Sequence, residues 1–188
     1  METVNGLIIR KAVREDCPQI LALIKEMAAF QKHPDAVEVD VSVLERDGFD
    51  GEHPFYFAVV AEDPNINTAD GRGKLVGYSI CNYAYGTWAG KKLFIEDIYV
   101  TESYRSKKVG SALFNLVNKI AVETGCAKID WHVTEWNSGA REFYHHKGAI
   151  CLSKLEDWLV YRLEKEAMTE LYQKTTARQG TGTKGQQS

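Results

Sequence analysis

Cysteine, basic excess and long apolar runs are all scarce in this chain, and each scarcity closes off a class of protein. The four cysteines, Cys17, Cys81, Cys126 and Cys151, lie far apart with no CxxC pair. Neither a zinc site nor a disulfide framework is indicated, and they read as small core residues. Lysine and arginine number 23 against 26 aspartates and glutamates, for a formal net charge of −3. General nucleic-acid binding, which needs a basic surface to displace counterions, is therefore not expected. The longest uninterrupted apolar run, Phe55–Ala61, falls far short of the roughly 20 residues that span a bilayer. The opening METVNGLIIRKAVRED lacks the apolar stretch of a signal peptide. A cytoplasmic protein with no nucleic-acid or membrane partner is the expectation.

What is present suits one α/β core. At 188 residues and 44% hydrophobic, the chain can bury a full core but is short for two ordinary domains. One domain is expected over residues 1–172. The remainder, QKTTARQGTGTKGQQS, has almost nothing to bury, so 173–188 is expected to be a disordered tail.

Apolar periodicity orders the elements. Leu7–Arg10 reads as a short strand, and Asp16 is placed to cap a helix carrying Ile20, Leu23, Ile24 and Met27. Asp40 is placed to cap a second helix, VSVLERD, closed by Gly48 in the left-handed conformation. FYFAVVA and LVGYSICNYAY read as strands separated by a loop, DPNINTADGRGK. LFIEDIYV is the next strand, followed by the helix ALFNLVNKIAVET, which Gly125 stops. Ala127–Val133 reads as a strand, Asn137 caps a helix that Gly148 ends, and AICLS and WLVYRLE read as two closing strands. The order β α α β β β α β α β β predicts a mixed, strongly twisted sheet of about seven strands with helices on both faces. Antiparallel hairpins come first and a parallel crossover follows.

The join between LFIEDIYV and the helix after it is chemically the most telling segment. A strand feeds the turn TESYRSKKVGS, which carries Arg105, Lys107 and Lys108 into a helix N-terminus. There, unpaired N–H donors and the positive end of the dipole suit a phosphate.

This join, IEDIYVTESYRSKKVGS, together with TEWNSGAREFYHHKGA and the element order, resembles the GNAT N-acetyltransferase superfamily. Within it, DGFDGEHPFY, LFIEDIYV and EWNSGAREFY are similar to the diamine acetyltransferase group, the spermidine/spermine and thialysine N-acetyltransferases. The resemblance runs from about Leu7 to about Glu164. It implies acetyl-CoA as co-substrate and no metal, with the pantetheine arm pairing to the backbone of Ile98, Tyr99 and Val100 as an added strand. The pyrophosphate is implied at Arg105, Ser106, Lys107, Lys108, Val109, Gly110 and Ser111, with further cofactor contacts at Asn137, Ser138, Gly139, Ala140 and Tyr144. Lys108 stands where the family has a central glycine, and a side chain there costs roughly 1 kcal/mol or more if the turn needs a positive φ.

The same resemblance implies the catalytic pair. Glu96 matches an acidic position at a strand bulge that takes a proton from the amine, directly or through water. Tyr144 matches a tyrosine that donates to the leaving thiolate. A phenol near 10 is a weaker acid than a thiol near 8.5, so it serves better as a hydrogen-bond donor than as a full acid. Phe30, Gln31, Trp88, Glu96, Asp97, Glu156 and Trp158 match positions lining an acidic, aromatic groove for a cationic amine. Gln31 and Gly86 replace a glutamate and an aspartate of the polyamine enzymes, which favours a shorter amine. The adjacent His145 and His146 point about 100° apart on a helix and cannot share a metal. The resemblance also implies a homodimer. Two other readings stand beside the small-molecule enzyme, namely an acetyltransferase of protein amines and a non-catalytic CoA-binding module.

Overall fold

Period-2 and period-3.6 stretches fall mainly where the sequence puts them. A computed structural model describes residues 2–157 and 159–180, and the chain divides into two compact units, one ending at Thr134 and the other beginning at Glu135. The first unit is built on one sheet of β1 (Glu2–Val4), β2 (Leu7–Lys11), β3 (Phe57–Asn67), β4 (Gly73–Gly86), β5 (Gly90–Val100) and β6 (Ile129–Trp131), in that spatial order. Neighbours are antiparallel except β5 and β6. That last pair is parallel because a helix, α3 (Val109–Glu123), intervenes and returns the chain in the same sense.

Two helices, α1 (Cys17–Phe30) and α2 (Val41–Gly48), bury Cys17, Ile20, Leu23 and Leu44 against Ala58, Val60, Leu75, Tyr78 and Tyr99 of the sheet. On the opposite face α3 buries Val109, Ala112, Leu113, Val117, Ile120 and Ala121. This helical spacing faces a single layer. Leu113 lies against Gly77, where an added Cβ would stand 2.9 Å from the Tyr99 carbonyl oxygen. A side chain at that position would force β4 from β5.

The second unit holds α4 (Ser138–His146) and α5 (Lys165–Gly180). The Asn137 side chain accepts from the Ala140 N–H at 3.2 Å and starts α4. Gly148, at φ 87°, follows its end, as Gly125, at φ 71°, follows α3.

Several expectations need correcting. Six strands stand among the described residues, with β1 added at the N-terminus as a hairpin partner of β2. The supposed loop DPNINTADGRGK is mostly strand: β3 runs to Asn67 and β4 resumes at Gly73, with a bulge between Asp63 and Asn67 absorbing the irregular composition. AICLS is not a strand, since Leu152–Lys154 form a 3-10 turn, and 159–164 have no regular structure. Trp158 lies outside the described residues. Apolar character alone does not make a strand without a ladder partner, and Leu159, Val160 and Tyr161 are 76–86% exposed. The tail expected to be disordered is helical from Gln173 to Gly180, as part of α5. Its helix-favouring lysine, glutamate, alanine and glutamine residues and the Lys174–Glu170 ion pair at 2.5 Å are local sources of that order. Residues 181–188 lie outside the described part.

Asp16 and Gly48 act differently from expectation. The Asp16 side chain makes no capping bond to α1. It is fully buried and accepts from the Val13 N–H at 2.8 Å, from Arg10 at 2.6 and 3.0 Å, and from Arg72 at 2.8 Å. Asp40 does cap α2, through the Val43 N–H at 2.9 Å. Gly48 is not left-handed; it is small because a Cβ would come within 2.4 Å of the Tyr56 ring. Of the cysteines, Cys17 and Cys81 are core residues, Cys126 is half-buried and Cys151 is exposed.

Candidate active site

The site is built where β5 parts from its parallel neighbour. Leu93, Phe94 and Ile95 pair with Ile129, Asp130 and Trp131, and among the described residues the pairing ends there. From Glu96 to Val100, β5 stays bonded to β4 on one side and is open on the other. The Thr101 N–H donates to the Val76 carbonyl at 3.0 Å, which sets the alternation. By that alternation Tyr99 faces β4, and the backbone groups of Ile98 and Val100 face the open edge.

Glu96 sits at a bulge, since Asp97 pairs with Ile80 and Ile95 with Cys81, leaving Glu96 unpaired between them. The two consecutive carboxylates at this bulge have different surroundings. Glu96 is exposed, whereas Asp97 is half-buried and accepts a hydrogen bond from the Tyr78 hydroxyl at 3.2 Å. The Tyr78 hydroxyl also reaches the Met27 sulfur at 3.5 Å, and the Ser79 hydroxyl holds the Asp97 carbonyl at 2.8 Å. Burial pushes the Asp97 carboxyl up to about 6, against the opposing pull of Tyr78 and with a smaller push from Glu96. Tyr78, Ser79 and Met27 escaped the sequence reading. The alternation along LVGYSICNYAY was the available signal, because it puts Tyr78 on the face covered by α1.

The turn into α3 adopts a left-handed, glycine-like backbone at two positions. Ser106 and Lys108 are both left-handed at φ 62°, so the lysine in place of glycine does occupy a glycine-like conformation. Lys107 and Lys108 are exposed, and the Lys107 ammonium stands 4.8 Å from the Tyr104 ring centre. The Asn5 side chain braces the turn by donating to the Lys107 carbonyl at 2.9 Å. Lys108 precedes the first turn of α3 without capping it, and a Cβ on Gly110 would be 3.8 Å from Val100 Cγ2. The helix N-terminus and the open strand edge therefore adjoin. Cationic side chains, helix N–H donors and strand backbone without a ladder partner are the set an acyl-CoA needs, and these residues fit it.

Other sequence candidates are distributed unevenly. Phe30 ends α1 with its ring centre 6.4 Å from that of Tyr99, and Gln31 follows half-buried. Trp88, 90% exposed, lies in the turn between β4 and β5. Strand from Gly90 to Asp97 separates it from the carboxylates, roughly 20 Å at 3.3 Å per residue. One chain does not bring the two together. In the second unit, Tyr144 is buried, and that burial pushes its phenol up to about 12. Ser138 and Ala140 donate to Trp136 and Asn137 at the entry to α4, and Glu156 is exposed. Among the described residues no group of three or more His, Cys, Asp or Glu side chains is placed to hold a metal, and no helix is long and apolar enough to cross a membrane.

A sheet that opens beside a bulged strand and meets a cationic helix N-terminus suits an acyl-CoA-dependent acyltransferase. Residues 18–149 match the model of the Acetyltransferase (GNAT) family, and the chain belongs to that family, whose acetyltransferases use acetyl-CoA. It is 39% identical over 168 residues to a thialysine N-epsilon-acetyltransferase of Bos taurus, covering 88% of this chain and 96% of that one. It is 35% identical over 163 residues to the human spermidine/spermine N(1)-acetyltransferase-like protein 1, covering 87% of this chain and 23% of that longer protein. Among solved structures, the fold is similar to an integron cassette protein from V. cholerae, with TM-score 0.70 and 20% identity over 89% of this chain and 98% of that one. It is also similar to AAC(6')-Iy in complex with a CoA-linked bisubstrate analogue, with TM-score 0.62 and 18% identity over 84% of this chain and 98% of the other.

Proposed function

We propose that this acetyltransferase moves an acetyl group directly from acetyl-CoA to the primary amine of a small cation, thialysine- or lysine-like or a short di- or polyamine. The observation that carries the reading is the pairing, on one stretch of β5, of an open backbone edge at Ile98 and Val100 with two carboxylates at Glu96 and Asp97. The edge suits the pantetheine amides, the carboxylates suit an ammonium group, and the two follow one another along β5. The relatives named for thialysine and for spermidine/spermine support an amine of this kind. Gln31, uncharged at the end of α1, favours its shorter members.

Glu96 is the exposed carboxylate and takes the proton from the amine, directly or through water. Asp97, half-buried and held by Tyr78, keeps the cation in place by charge. As the amine nitrogen forms its bond to the acetyl carbon, the carbon–sulfur bond breaks and negative charge gathers on sulfur. With a phenol near 12 against a thiol near 8.5, complete proton transfer from Tyr144 is uphill on the order of 5 kcal/mol. Tyr144 therefore donates a hydrogen bond to that charge instead of giving up its proton outright. The turn at Arg105–Ser111 and the entry to α4 at Asn137–Ala140 carry the cofactor contacts. A homodimer and a cytoplasmic setting complete the proposal.

The test is thiol release from acetyl-CoA against thialysine, lysine, putrescine, spermidine, spermine and a lysine peptide. Selective turnover of one small amine is expected. Tyr144→Phe should lower kcat about 10- to 100-fold with the acetyl-CoA KM little changed, and Glu96→Gln should flatten the pH dependence of the rate. Preference for the peptide would favour a protein acetyltransferase, and CoA binding without turnover of any amine would leave only a binding module.

A further inference from the structure

The Arg105 side chain does not extend toward the α3 N-terminus. Its Nε donates to the Val100 carbonyl at 3.0 Å and one of its Nη groups to the Tyr99 hydroxyl at 3.2 Å. Its guanidinium lies 4.6 Å from the Phe30 ring centre and 5.4 Å from that of Tyr99. The Tyr99 hydroxyl in turn donates to Glu26 at 3.0 Å, and Thr101 donates to the same carboxylate oxygen. The last turns of α1 are thus tied to the end of β5 through one arginine of the cofactor turn. The Val100 carbonyl is also one of the groups on the open edge of the sheet. A pantetheine amide that bonds there must share that carbonyl with Arg105 or displace it, and any movement of the guanidinium moves the cation that rests on Phe30.

We propose that Arg105 is a positioning residue that couples occupancy of the β5 edge to the placement of Phe30 on the acceptor side, so that cofactor binding sets the affinity for the amine. The coupling rests on the reading that acetyl-CoA lies on this edge and the amine near Phe30. Linkage makes it reciprocal: each ligand shifts the affinity of the other by the same factor. An arginine does this where a lysine does not, because its planar fork donates to two acceptors while its face stacks on a ring.

The experiment places 4-fluorophenylalanine at position 30 of the 15N-labelled full chain and titrates CoA. The amides of Val109, Gly110 and Ser111 report cofactor binding, and the fluorine reports the acceptor side. Both are expected to shift in the parent protein. In Arg105→Lys the amide shifts at saturation should persist while the fluorine response falls by about half or more. Thialysine should bind about fivefold more tightly to the CoA complex than to the free parent protein, and less than twofold more tightly in the variant. Should Arg105→Lys lose its dispersed amide spectrum, Glu26→Gln frees Tyr99 and keeps the arginine; it is expected to weaken the fluorine response in the same direction. Amide shifts without a fluorine shift, or a fluorine shift undiminished in the folded variants, would overturn the coupling and leave the cofactor reading standing. No amide shift at all would overturn the cofactor reading and the coupling together.

Discussion

Asp97 carries a charge at neutral pH that its burial opposes. Its carboxyl, pushed up to about 6, lies above the ordinary value of 3.8. Its contribution to stability is therefore fully present below about 3.8 and is lost as pH rises through about 6, on the order of 1–3 kcal/mol once partial exposure is allowed for. Asp97→Asn should raise the unfolding temperature at pH 7.5 and leave it nearly unchanged at pH 3.5, as read by thermal melts at both pH values. The same charge holds the amine in our reading, so the amine KM of the parent should rise as pH falls through about 6, and this limb should vanish in Asp97→Asn. Lys108 carries a different cost, a Cβ at φ 62°. Lys108→Gly should stabilise the chain by about 0.5–1 kcal/mol, a few degrees in Tm, while the acetyl-CoA KM rises with the loss of a cation. A melt and a KM measured on one preparation check both halves. Neither environment was legible in the sequence. That Lys108 replaces a glycine was visible, but that the turn keeps the glycine conformation was not.

Among the elements, α1 depends on a charge cluster that local pattern misread. Asp16 looked like a helix cap because capping residues sit just before an apolar period. Instead it neutralises Arg10 from β2 and Arg72 from the start of the β3–β4 return, and Arg10 also meets Glu62 at 2.7 Å. Burial disfavours the charged carboxyl, but the hydrogen bonds from Arg10, Val13 and Arg72 outweigh it and hold the group below its usual range. This stability is present at and above the ordinary carboxylate range and is lost as pH falls through the lowered value. Asp16→Asn should cost about 3–5 kcal/mol by removing the buried charge that Arg72 pairs with and that Arg10 shares with Glu62, measurable by urea unfolding at pH 7. The periodic helices α1, α2, α3 and α4 were all visible in the sequence, because each buries one face on its own unit's apolar residues or starts at a capping side chain that spacing reveals. The closing strands were not, because a strand is defined by its neighbour.

At the scale of the whole molecule, Leu159, Val160, Tyr161 and Leu163 are exposed apolar residues of one short segment, the kind of surface that a second copy would cover in the homodimer we propose. Sedimentation equilibrium should return twice the mass of one chain, and Val160→Asp should shift it toward the monomer with the far-UV spectrum retained. The catalytic candidates show how far the sequence reaches. The order of elements, the parallel crossover after β5 and the basic turn before α3 are written in spacing and residue type, since hydrophobic periodicity and a helix N-terminus are local properties, whereas the bulge at the acidic pair was implied only by the resemblance. Only the folded chain decides which carboxylate is exposed and which is buried, because that depends on Tyr78 and Met27 arriving from other elements. It also decides that Arg105 folds back onto Phe30 and Tyr99 and that Trp88 stands a strand's length from Asp97. Distances between residues remote in sequence follow from strand register and helix packing, and no local pattern carries them.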